Sequence, residues 1–175
     1  MLVLMDLFAD VLDFVNRGGW VLYVIASAAF IMWTLLFERF WFYKGELNRV
    51  VNGALSSWEA RPERKSWNAQ QIRRSMISEV NEKINANLEL IATIVALCPL
   101  LGLLGTVTGM IEVFGVLAAT GGGDAKSMAS GVSKATIPTM AGMVAALSGV
   151  FGQTLVNQIA TRESQLLEDH LTMDH

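Results

Sequence analysis

Three stretches of the chain carry no charged residue: Gly18 to Phe37, Leu90 to Ile111 and Ala135 to Thr161. Each meets or exceeds the roughly 20 residues that a helix needs to cross a hydrocarbon core, and together they predict an all-α membrane protein with three transmembrane helices. Ahead of the first stretch, Met5, Phe8, Val11, Leu12 and Val15 recur at helical spacing with Asp6, Asp10 and Asp13 between them. That alternation predicts an amphipathic helix over residues 1–16, lying at the membrane–water boundary.

Transmembrane helix 1 is expected over residues 17–43, with Trp20 and Tyr23 at one interface and Trp41 and Tyr43 at the other. A cytoplasmic helical segment follows over 44–89. It has one apolar stripe through Leu47, Val50, Val51, Ala54, Leu55 and Trp58 and a second through Ile72, Met76, Val80, Ile84 and Leu88. A turn at Pro62 separates the stripes. No Gly or Pro interrupts the second pattern until Pro99, so it predicts one helix running unbroken from the cytoplasm into the second span. The remaining divisions are helix 2 over 90–119, an external turn over 120–130, helix 3 over 131–161 and a cytoplasmic tail over 162–175. Helices 2 and 3 thus extend into the cytoplasm.

Charge sets the orientation. Nine of the 13 Lys and Arg lie between Arg39 and Lys83, whereas Leu117 to Ser130 holds only Lys126. The central loop and the C-terminus are therefore expected in the cytoplasm and the N-terminus outside. Asp6, Asp10 and Asp13 against the lone Arg17 do not make a signal-peptide n-region, so the first span reads as a retained anchor. A net charge of −3 argues against a nucleic-acid partner.

Candidate chemistry is sparse. The single cysteine, Cys98, excludes an intrachain disulfide and supplies no metal-ligand spacing, and no zinc motif surrounds His170 or His175. The Gly-Gly-Gly-Asp-Ala-Lys-Ser run resembles a phosphate loop, but Ala125 stands where the glycine before the lysine is required. No cofactor, metal or enzymatic activity is expected.

The later spans are rich in small residues. Ala135, Thr139, Gly142, Ala146 and Gly149 share one helical face, and Gly102, Gly105 and Gly109 share another, the signature of close helix packing. Counting from helix ends near Ala119 and Lys126, Thr106 and Thr139 each lie 13 residues in, at a matched depth of roughly 20 Å. Their hydroxyls could serve a water or a partner's carboxyl group, or could bond back to their own helices; both readings stand open. Glu112 and Lys134 also match in depth. They predict an ion pair within or between subunits, the alternative being that both reach toward the interface. No carboxylate lies near the threonines, so a proton path there needs a titratable group from another chain. Gln153 and Asn157 fall near the Thr139 direction and could wet a cytoplasmic exit or cap helix ends.

Two segments, LGLLGTVTGM at Leu101 to Met110 after Cys98-Pro99, and GVSKATIPTMAGMVAA at Gly131 to Ala146, resemble the paired signatures of the MotA/TolQ/ExbB proton-channel family, most closely its ExbB branch. The resemblance implies a bacterial inner-membrane ring of identical subunits enclosing the transmembrane helices of an ExbD-like single-span protein whose aspartate carries the proton. It further implies work on a TonB-like protein for outer-membrane nutrient uptake, with Thr106 and Thr139 in the positions of the family's two lumen threonines. Lys134 stands where the ExbB and TolQ pattern has glutamate, and Glu112 where an uncharged polar residue is usual. A TolQ-like envelope-maintenance role and a non-conducting membrane scaffold are the competing readings.

Overall fold

A computed structural model describes residues 18–63, 66–121 and 125–170. The expected amphipathic helix over 1–16, the tip of the external turn at 122–124 and the last five residues of the tail lie outside the described residues. Every element among the described residues is helical: α1 (Gly19–Glu59), α2 (Trp67–Asn85), α3 (Leu88–Thr120) and α4 (Ala125–His170). Among the described residues, three helical stretches are long and apolar enough to cross a membrane. Large apolar side chains point outward on these helices, Phe30, Trp41 and Phe151 being more than 70% exposed, as expected where lipid or neighbouring helices replace water.

The chain divides into two compact units, residues 1–33 with 92–150 and residues 34–91 with 151–175. In the first, α3 and α4 pack antiparallel through small residues. A Cβ built on Gly102 would meet the Thr139 Cα at 2.9 Å, and one on Gly142 would meet the Cys98 carbonyl oxygen at 2.5 Å and the Gly102 Cα at 3.1 Å. The obstacles are main-chain atoms, so only glycine allows this approach. Gly105 faces Pro138, Gly109 faces Ala135 and Gly131 faces Val113. Val21, Leu22, Ile25 and Met32 of α1 complete the core together with Val95 and Cys98, and the cysteine is fully buried.

The second unit has its own apolar core of Leu47, Trp58, Ala69, Val80, Ile84, Ala160 and Leu167. Ser66 caps α2 by accepting from the Ala69 amide at 3.2 Å. An Arg73 guanidinium nitrogen donates to the Glu168 carbonyl at 3.0 Å, tying α2 to α4.

The unbroken helix expected from the cytoplasm into the second span is not found. α2 ends at Asn85, and Asn87 has φ 64°. Asparagine tolerates this left-handed conformation, which terminates helices; the Ile91 amide donates to the Asn87 carbonyl at 3.0 Å as α3 begins. The carbonyls left at the end of α2 find partners on α1. Arg39 Nη1 donates to the Lys83 oxygen at 3.1 Å, and the Tyr43 hydroxyl donates to the Ile84 oxygen at 2.8 Å.

Candidate functional site: the α3–α4 contact and the cleft beside it

The opposed small-residue faces bring Gly102, Gly105, Gly109, Gly142 and Gly149 into helix contact. Gly149 does so against Met32 and Val95, the others along the α3–α4 seam. Contacts of Gly131 with Val113, Gly109 with Ala135 and Gly105 with Pro138 set an antiparallel register in which Thr106 is level with a residue next to Thr139.

The two hydroxyls are used differently. Thr139 Oγ1 donates across the seam to the Gly102 carbonyl at 2.9 Å, whereas Thr106 Oγ1 donates within α3 to the Leu103 carbonyl at 2.7 Å. With each hydroxyl proton engaged, both oxygens retain acceptor lone pairs. What they offer is a place for a donor, such as water or a protonated carboxyl group.

Toward the α3–α4 turn, the start of α1 and the halves of α3 and α4 nearest that turn line a cleft of about 430 Å³ whose walls include Trp20, Thr108, Gly109, Glu112, Gly131 and Lys134. Glu112 and Lys134 are both exposed. No ion pair joins them among the described residues; they are brought to one cleft. Asn157 sits on an exposed polar face of α4 with Thr154, Gln158, Thr161, Arg162 and Gln165. Gln153 is half-buried.

Glu38 and Arg39, the charges that close the first charge-free run, form a partly buried pair at the α2–α3 break. Arg39 is 5% exposed; its guanidinium pairs with Glu38 through both carboxylate oxygens, Nε at 2.7 Å, and lies 4.8 Å from the centroid of the Phe42 ring. Its signal in the sequence is the first cation after a charge-free run, set beside a carboxylate and among aromatics.

These features define a class: a three-span, all-helical membrane protein in which two spans are locked by small residues around threonine hydroxyls. The chain belongs to the MotA/TolQ/ExbB proton channel family, whose model matches residues 43–169. It is 43% identical over 83 residues to an ExbB-like biopolymer transport protein of Synechocystis, covering 46% of this chain and 32% of that protein. It is 40% identical over 96 residues to the biopolymer transport protein exbB1 of Vibrio cholerae, covering 54% of this chain and 42% of the relative. Against the Tol-Pal system protein TolQ of Pseudomonas aeruginosa, identity is 32% over 99 residues, covering 57% and 42% respectively. The matches thus span less than half the length of these curated relatives.

Proposed function

We propose that the chain is an ExbB-like proton-channel subunit of a bacterial inner membrane, with its N-terminus periplasmic and its C-terminus cytoplasmic. In this reading a homo-oligomeric ring surrounds an ExbD-like single-span partner and passes the energy of proton flow to a TonB-like protein. The observation that carries it is the Thr139–Gly102 hydrogen bond across the close α3–α4 contact, one helical turn from Thr106, in a member of a proton-channel family. Two acceptor oxygens at one depth suit a protonated carboxyl group brought by a partner helix. Asn157 and its polar neighbours on α4 then supply a wet route toward the cytoplasm, with Gln153 beside them. Similarity to both ExbB and TolQ keeps envelope maintenance as the second reading.

The test uses a strain lacking both ExbB and TolQ, supplied with this chain and its partner at matched protein levels. Iron-chelate uptake should be restored. Thr106→Val and Thr139→Val should each reduce it by roughly tenfold or more, the usual scale for losing one functional hydrogen bond, and the serine variants should retain more activity. Thr139→Val should also lower stability by about 1 kcal/mol because it removes the cross-seam hydrogen bond to the Gly102 carbonyl. Full uptake in both valine variants would remove the threonines from the proton path; restored detergent resistance without uptake would favour the TolQ-like role.

A further inference from the structure

We infer that the cleft between α1, α3 and α4 is a binding site for a zwitterionic, amine-bearing phospholipid, with Glu112 taking the ammonium group and Lys134 the phosphate. This inference stands apart from proton conduction. Two opposite charges lie on one cleft and are not bonded to each other. The complementary occupant is a molecule carrying both opposite charges a few bonds apart. Pro138 strengthens the acceptor side: a proline has no N–H to give the carbonyl four residues earlier, so the Lys134 carbonyl lacks its usual helical donor on the same turn that borders the cleft. The Thr108 hydroxyl is already engaged with the Leu104 and Gly105 carbonyls at 3.0 and 3.1 Å and presents acceptor lone pairs as well.

The remaining surface suits the lipid's glycerol and upper acyl chain. Val21, Val113, Val116 and Leu117 contribute apolar wall, and Trp20, 58% exposed, borders the cleft at the start of α1, where an indole favours the boundary between headgroups and hydrocarbon. A volume of about 430 Å³ accommodates a headgroup and backbone but not whole acyl chains. Those would run along the exposed apolar faces of the helices. A free phosphate would leave the carboxylate and the apolar wall unused, and an anionic lipid without an amine would leave Glu112 facing no cation.

Native mass spectrometry of the full chain, titrated with phosphatidylethanolamine or phosphatidylglycerol of the same acyl composition, tests the site. Wild type should retain the ethanolamine lipid about tenfold better, the scale of one charge-assisted hydrogen bond. Glu112→Gln should abolish that preference while leaving glycerol-lipid binding in place, and Lys134→Gln should weaken retention of both. Gly115→Ala, whose added Cβ meets nothing within 4 Å, should leave all values unchanged. Equal retention of the two lipids by wild type would overturn the inference. So would a preference that survives Glu112→Gln, or a wild type without preference whose stability falls in each single variant and returns in the charge-exchanged double variant; that last result would mean that the two side chains bond each other.

Discussion

Gly142→Ala is expected to destabilise the chain by about 1–3 kcal/mol, the cost of forcing extra volume into a packed contact, while Gly45→Ala and Gly53→Ala are neutral or stabilising. The difference lies in what the new methyl group meets. At 142 it lies 2.5 Å from the Cys98 carbonyl oxygen and 3.1 Å from the Gly102 Cα, atoms fixed by the α3 main chain, whereas at 45 and 53 nothing lies within 4 Å. The two helices must separate, and the Thr139–Gly102 hydrogen bond stretches with them. Gly142→Val should be worse than alanine for the same reason. Thermal unfolding of the variants in one detergent and lipid mixture measures the order. A Gly142→Ala protein as stable as Gly45→Ala would mean that the seam is looser than described.

Arg39→Met should cost about 2–3 kcal/mol, more than Tyr43→Phe at about 1 kcal/mol. The arginine satisfies the Lys83 carbonyl and both Glu38 carboxylate oxygens from a nearly buried position, whereas Tyr43 serves only the Ile84 carbonyl. Methionine fills the space but strands these acceptors, although Glu38 is half exposed and regains some water. Arg39→Lys should recover part of the loss, since an ammonium group reaches one acceptor but cannot reproduce the two-pronged contact. Hydrogen exchange at the amides of Asn81 to Asn85 provides the local readout: it should speed up in Arg39→Met and change little in Tyr43→Phe. Equal protection in the two variants would show that the arginine does not hold this helix end.

Much of this architecture is legible in the sequence because it is periodic. Three charge-free runs give the spans, and the spacing of Gly102, Gly105 and Gly109 against Ala135, Gly142 and Gly149 gives the faces that meet. The charge-free run marks the first span, and α1 continues beyond it through Gly45 to Glu59. The α2–α3 break was not legible: one asparagine in a sustained helical pattern is ambiguous until Arg39 and Tyr43, more than 40 residues earlier, are seen to take the carbonyls it releases. Depth along a helix can be counted, so the levels of Glu112 and Lys134 were accessible from their positions. Which way each side chain turns depends on helix rotation and on the α1 residues nearby. Which partner each side chain takes therefore lay beyond the pattern.

Cys98, fully buried on the α3 side of the Gly142 crossing, gives the chain a native gauge of its own breathing. Because it is the protein's single thiol, a small membrane-permeant thiol-alkylating reagent can mark only this position, and can do so only when the packing around it opens. The labelling rate therefore follows the opening free energy of the core around Cys98 in unaltered protein, under working conditions and within a living membrane, with no engineered probe to disturb it.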